Sequence, residues 1–306
     1  MIEKVSIVGM GSLGLLFGSL LYDKLGRDKV NFIVDKERYD KYGKQDRYVN
    51  GKKYDFNVIS SDDTISTPSD LLMFAVKSTT LREAIEVSKK HVSKDTTIIS
   101  LLNGITSEDI IAQFYDPNQI LYSVAEGMDP IKSGYNLSYT NMGYLRLGSD
   151  RFDSGENDRL DSLIEFFDQI SFPYIYEENI LRRMWSKFML NVGVNQVVMI
   201  YEGNYHTIQK PGEARELMIS AMREVISLAD KENIYLTEED LDFYVALVDT
   251  LNPLGIPSMR HDGLYKIKSE VEMFSGKVLE LSNKHNLESP INSMIYNRIK
   301  RMESEY

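Results

Sequence analysis

The 306-residue chain contains no cysteine. Disulfides, thiolate zinc sites and thiol nucleophiles are therefore excluded, and the composition fits a reducing compartment. Basic residues are also in short supply: 35 Lys and Arg stand against 46 Asp and Glu, a formal net charge of −11. That balance argues against nucleic acid or an anionic membrane as a partner, since both attract basic surfaces. It leaves room for a small anionic ligand, for which a few local cations suffice. Long apolar runs are missing too, and stretches such as residues 71–76 are far too short to cross a bilayer. Met1-Ile2-Glu3-Lys4-Val5 leads into a strand-like pattern without the cationic, apolar and cleavage-site succession of a signal peptide. The four histidines, His91, His206, His261 and His285, have no ligand spacing, so no metal site is expected. With 42% hydrophobic and 26% charged residues, the expectation is a folded cytoplasmic protein, long enough for two domains.

The first half alternates apolar β-rich runs with helical stretches. Residues 5–8, 30–34, 70–76 and 97–102 read as strands, and residues 13–25 and 80–90 as helices. Runs that are apolar on both faces, with crossover helices between them, predict a parallel sheet. Residues 120–149 carry short Tyr-rich, Gly-punctuated runs that read as extra strands, and residues 150–170 as one more helix before Pro173. Beyond about Asn179 the β-rich runs stop. Glu213, Leu217, Ala221, Val225 and Leu228 follow helical spacing, and Thr237-Glu238-Glu239-Asp240 reads as a capped helix start. Val271, Phe274, Val278 and Leu281 form one buried stripe, and Ile291, Met294, Ile295, Ile299 and Met302 a second after Pro290. The fold class expected is α/β: a Rossmann-type parallel-sheet domain over residues 1–176 and an all-α domain over 177–306. There is no internal repeat, low-complexity tract or flexible linker.

Gly9-Met10-Gly11-Ser12-Leu13-Gly14 fits G-x-G-x-x-G, after a strand and at the start of a helix. The first glycine allows the tight turn, the second lets a pyrophosphate approach the backbone, and the third packs helix on strand. The helix N-terminus then offers its N–H groups to the phosphates. Asp35, at the end of the second strand, stands where a carboxylate holds the ribose hydroxyls. It suits NAD(H) and repels the 2′-phosphate of NADP(H). Lys36, Arg38 and Lys77 are cations at strand ends that pull the other way, so charge leaves both cofactors open.

In the second half, Lys187, Asn191 and Asn195 lie four residues apart among Trp185, Phe188, Met189, Leu190, Val192 and Val194. They share one helix face. A polar stripe in an apolar helix needs partners, which a solvated face, a buried structural network or a ligand would each provide.

The sequence resembles the ketopantoate reductase (2-dehydropantoate 2-reductase) family. The helix W-x-K-x-x-x-N-x-x-x-N is matched by Trp185, Lys187, Asn191 and Asn195. The family's S-M followed by T-E-I-D-x-x-x-G is matched by Ser258-Met259, Glu270 and Gly276, its N-G by Asn103-Gly104, and its V-K pair by Lys77. The resemblance runs end to end. It implies reduction of a small 2-oxo acid, first of all 2-dehydropantoate in pantothenate biosynthesis, with NADP as the family's usual cofactor and NAD as the alternative raised by Asp35. It implies Lys187 and Glu270 as catalytic residues, the lysine giving a proton to the ketone oxygen. Asn103, Asn191, Asn195, Asn204 and Ser258 would bind substrate, with Asn204 an offset match, and Ser258 would take the carboxylate. Residues 9–14, Asp35, Lys36, Lys77 and Asn103 would bind the cofactor. Two departures stand out: Glu126, a carboxylate where the family has a small Thr-rich run, and Gln196, in place of a common proline. A reductase of a different 2-oxo acid and a nucleotide sensor without catalysis are the competing readings. The many Tyr and Met of the helical part leave a homodimer open.

Overall fold

The computed structural model describes residues 2–42, 45–63, 67–149 and 158–306. Two compact units divide the chain, Met1–Ile180 and Leu181–Tyr306. The first contains β1 (Val5–Val8), α1 (Ser12–Leu25), β2 (Val30–Val34), α2 (Lys36–Tyr42), β3 (Arg47–Val49), β4 (Lys52–Tyr54), β5 (Asn57–Ser60), β6 (Leu71–Phe74), α3 (Leu81–Ser88), β7 (Thr97–Ser100), α4 (Ser107–Ile111), β8 (Ile120–Glu126), β9 (Ile131–Ser133), β10 (Asn136–Ser138), β11 (Tyr144–Gly148), α5 (Asp158–Ile170) and β12 (Tyr174–Tyr176). The main sheet runs β12-β11-β8-β7-β6-β1-β2-β5 and is parallel apart from the β8–β11 pair. A small sheet, β4-β3-β10-β9, stands beside it.

Alternate residues of the central strands sort cleanly into two cores. Val5, Ile7, Val30, Phe32, Leu71, Met73 and Ile99 pack with Leu16 and Phe17 of α1 and Leu163 and Phe167 of α5. Val8, Ile33, Leu72, Phe74 and Ile98 pack with Leu81 and Ile85 of α3 and Ile111 of α4. This period-two division is why the strands read as continuous apolar runs. The strand order reverses at β1, which lies between β2 and β6. Ligands of open parallel sheets bind at the carboxyl ends of the strands beside such a switch.

Two buried titratable groups give this unit opposing pH responses. His91, 2% exposed, is pushed down to about 4 from 6.5, first by burial and then by Lys4. Burial pushes the Glu108 carboxyl up from 4.5 to about 7 against the Ser107 hydroxyl that donates to it. Between about pH 4.5 and 6.5 the unfolded chain binds more protons at His91 than the folded one, so that site adds stability as pH rises. At Glu108 the folded state holds the extra proton, so that site loses stability as pH rises. Each amounts to about 3 kcal/mol across its window. Relative to wild type, His91→Gln should lower the slope of stability against pH, and Glu108→Gln should raise it. Urea unfolding at pH 5 and pH 6.5 checks this; slopes that move in the same direction would contradict it.

The second unit is all helical. It follows α6 (Ile180–Ile200) with α7 (Tyr205–Gln209), α8 (Glu213–Lys231), α9 (Glu238–Thr250), α10 (Ser258–Leu264), a π-helical turn (Glu272–Gly276), α11 (Lys277–His285) and α12 (Pro290–Glu303). Thr237 caps α9 through Asp240, as its sequence predicts. The apolar stripe of Val271, Phe274, Val278 and Leu281 is buried, but it is not one α-helix, because the π turn occupies its first half. Met294 also departs from expectation, at 41% exposed. It falls off the face defined by Ile295 and Ile299, one helical step away. Among the described residues no helix is long and apolar enough to cross a membrane.

Candidate functional site

In the first unit the candidate cofactor residues follow the carboxyl ends of neighbouring parallel strands β2, β1, β6 and β7. Gly9 takes φ +113, and a Cβ there would overlap the Ala75 carbonyl oxygen beyond β6. A Cβ on Gly14 would overlap the Gly9 carbonyl oxygen. Both glycines are therefore demanded by the protein's own packing. Gly11 is different, since among the described residues its Cβ would meet only the Ala75 oxygen, at 3.6 Å. The protein does not need that glycine for its own packing, whereas a phosphate coming close to the backbone does. Gly11 is the N-cap of α1, and among the described residues no side-chain bond caps that helix, so its first N–H groups are left for an anion. These features fit a dinucleotide.

Asp35 caps α2. Its Oδ1 accepts from the Arg38 N–H at 2.7 Å, and its carbonyl accepts from the Tyr39 N–H at 2.8 Å. Its Oδ2 pairs with Arg38 Nη1 at 2.9 Å, and the same Nη1 lies 3.1 Å from Glu83 Oε1. Arg38 is thus shared by two carboxylates. Lys36 and Lys77 are exposed. Asn103 is half-buried beside Gly104, whose φ is +91. The turn that carries both is braced by Ser100, whose hydroxyl donates to Ser107 at 2.9 Å and accepts from the Leu102 N–H at 3.3 Å. Glu126 is matched by a cation: Arg146 reaches it at 3.0 Å and Glu177 at 2.9 Å.

In the second unit α6 carries the polar stripe. Lys187 is half-buried, while Asn191 and Asn195 are 7% and 8% exposed. Asn195 Nδ2 donates to Asn191 Oδ1 at 3.4 Å, and Asn191 Nδ2 is buried without a hydrogen-bond partner among the described residues. A solvated face is ruled out for the two asparagines. Ser258 is the exposed first residue of α10, after Pro257. Asn204 caps α7, its N–H donating to Thr207 Oγ1 at 3.3 Å. Glu270 is half-buried at the entry to the π turn, its carbonyl accepting from the Met273 N–H at 2.9 Å. The structure brings Asn191 and Asn195 into contact and places Ser258, Asn204 and Glu270 on three further segments.

Arg260 was invisible to sequence reasoning. It is buried, and its Nη2 donates to the Glu202 carbonyl at 3.0 Å, tying the helix of Ser258 to the turn that precedes Asn204. An arginine two residues after Ser258 gives no sign in the sequence that it points inward. Gln196, noted only as a departure, is also fully buried.

Residues 5–149 match the family described as Ketopantoate reductase PanE/ApbA, and residues 179–303 match Ketopantoate reductase PanE/ApbA C terminal. The 2-dehydropantoate 2-reductase of Pyrococcus abyssi is 23% identical over 307 residues, covering 98% of each chain. Among solved structures, a D-mandelate dehydrogenase with NADH and anilino(oxo)acetate superposes with a TM-score of 0.86 at 20% identity, covering 99% of both chains. A dimeric ketopantoate reductase from Staphylococcus aureus gives 0.80 at 19% identity, again over 99% of both. At these identities the two structures speak for a shared fold.

Proposed function

The chain belongs to the ketopantoate reductase family, and on that premise we propose that it reduces the ketone of a small 2-oxo acid with a nicotinamide cofactor. The observation that carries this reading is the buried, unpartnered Nδ2 of Asn191, on the same helix face as Lys187. Leaving such a donor unsatisfied costs about 1–3 kcal/mol, and an oxygen of a bound substrate would remove that cost. A pure sensor of nucleotides has no use for this arrangement in the helical unit.

The glycine turn, the first N–H groups of α1, Asp35, Lys77 and Asn103 would hold the dinucleotide. The bound nicotinamide supplies the hydride. As the ketone carbon is reduced, negative charge grows on its oxygen. The Lys187 ammonium stabilises that charge and gives up the proton that converts the oxygen to a hydroxyl. Asn191, Asn195 and Asn204 bind and orient the substrate, Ser258 binds its carboxylate, and Glu270 orients the substrate or the lysine. 2-Dehydropantoate is the first candidate, from the names of the relatives. The test is the loss of NAD(P)H absorbance with 2-dehydropantoate and a panel of other 2-oxo acids, aryl ones included. Turnover of none of them would refute the reductase reading, and a preference within the panel would name the substrate.

For the cofactor, the reading is NADH. Arg38, a cation that could have received a 2′-phosphate, is already shared by Asp35 and Glu83, and the three side chains together carry one net negative charge. A phosphate brought within about 4 Å of such a group is repelled by a few kcal/mol before screening. Asp35→Asn keeps an oxygen for capping α2 and removes the charge. It should raise the ratio of kcat/KM for NADPH over NADH by roughly tenfold or more, since about 1.4 kcal/mol suffices for that. An unchanged ratio would take Asp35 out of cofactor selection.

A further inference from the structure

We propose that Gln196 is a positioning residue for the reduction, setting the turn that follows Glu270 against the helix that carries Lys187. The inference rests on the reading of Lys187 and Glu270 given above. Gln196 is wholly buried in α6, one residue after Asn195. Its Oε1 accepts from the Ser275 N–H at 3.1 Å, and its Nε2 donates to the Val192 carbonyl of its own helix at 2.8 Å. Ser275 lies inside the π-helical turn Glu272–Gly276. There the Gly276 N–H reaches back five residues to the Val271 carbonyl, at 2.9 Å. Such a turn is one residue wider than an α-turn and has poorer intrinsic stability, so it persists where something outside it holds it.

The chain of bonds continues from the turn into the core. Ser275 Oγ donates to Asn292 Oδ1 at 2.8 Å, and Asn292 Nδ2 donates to Glu224 Oε2 at 2.7 Å. Glu224 in turn accepts from the Ile291 and Asn292 N–H groups at 2.8 and 2.9 Å, capping α12. Gln196, Ser275 and Asn292 are all fully buried. On the other flank of Glu270, Ser269 donates through its N–H and its hydroxyl to Glu303 at 2.7 and 2.6 Å. Glu270 therefore sits in a short segment fastened on both sides. Glu303 anchors one side to α12, and Gln196 anchors the other to α6. A buried, satisfied polar network of this kind fixes one arrangement where apolar packing would tolerate several. The network serves to hold Glu270 at a set distance and rotation from the Lys187 stripe.

Gln196→Met keeps the volume and removes both bonds. It should lower kcat by about tenfold to a hundredfold, the scale of a misplacement of about 1 Å near the chemistry. KM for the nicotinamide cofactor, held by the other unit, should stay unchanged, and amide hydrogen exchange at Ser275 should quicken. Gln196→Glu, whose protonated carboxyl keeps an acceptor for the Ser275 N–H and a donor to the Val192 carbonyl, should recover most of the lost kcat at low pH and serves as the second variant if the methionine form fails to fold. The role is overturned by a Met variant with wild-type kcat and only a lower melting temperature, or by a Glu variant no better than Met at low pH. Wild-type turnover of the 2-oxo acid panel is measured alongside. Its absence overturns the reductase reading and the positioning role with it; wild-type turnover with an unaffected Met variant overturns the positioning role alone.

Discussion

Replacing Lys187 with Ala should lower kcat by roughly two to four orders of magnitude, the range for a positioned general acid. Cofactor dissociation constants should stay within about twofold, because the loss falls on an interaction made in the transition state. The lysine is half-buried on a helix whose neighbouring positions, from Phe188 to Ile200, are almost all buried. In such surroundings an ammonium interacts strongly with a developing alkoxide, which water would otherwise screen. Lys187→Met separates charge from bulk, and it should be as impaired as the alanine variant. Stopped-flow measurement of the hydride-transfer step, with cofactor binding followed by fluorescence, reads the two effects apart. Turnover within a factor of a few of wild type would remove Lys187 from the role of proton donor. A large rise in the cofactor dissociation constant would mean that the substitution disturbs more than the acid.

The parts of the fold legible in the sequence were those whose stability is local and whose burial is complete. The strands β1, β2, β6 and β7 are apolar on both faces, and they were expected within about two residues of where they lie. Of the small sheet, β9 and β10 fall where extra strands were expected, and β3 and β4 do not. Its strands β3 and β4 are three residues each, and only Arg47, Val49 and Tyr54 of the six are buried. They exist because β3 pairs with β10, 88 residues later, and no local pattern encodes such a pairing. The π turn escaped for a related reason. Its one extra residue leaves the apolar spacing of Val271, Phe274 and Val278 intact, while the bond that accompanies it comes from Gln196, 79 residues away.

The site divides in the same way. The four-residue spacing of Lys187, Asn191 and Asn195 made a shared helix face certain, but only the structure distinguishes a wet stripe from a buried one. Asp35 was placed correctly at the end of β2, yet its engagement with Arg38 and Glu83 depends on a helix 45 residues on from Arg38. Glu126 stood out in the sequence as a carboxylate where the family has a small Thr-rich run. Across the antiparallel β8–β11 pair, Arg146 reaches it and Glu177 as well.

The glycine turn yields the second large effect, because its three glycines answer to different demands. Gly9→Ala would push a methyl group into the Ala75 carbonyl in a backbone conformation that L residues rarely adopt, and Gly14→Ala would push one into the Gly9 carbonyl. Backbone cannot step aside as a flexible side chain can, so both variants should lose several degrees of melting temperature, in the range of about 1–3 kcal/mol for strained or overpacked positions. Gly11→Ala meets no such obstacle: the Ala75 oxygen at 3.6 Å is in ordinary contact, and Gly11 has φ −77 with extended ψ, open to any residue. Its melting temperature should stay within about 2 °C of wild type, as for a neutral substitution. If the second glycine is there to admit a pyrophosphate, Gly11→Val, with a side chain directed into that approach, should weaken nicotinamide cofactor binding by roughly tenfold to a hundredfold, about 1.4 to 2.7 kcal/mol. Thermal unfolding and fluorescence titration with NADH and NADPH measure the two quantities independently. A Gly11→Val variant that folds and binds both cofactors like wild type would show that the turn's resemblance to a nucleotide cradle is one of packing alone.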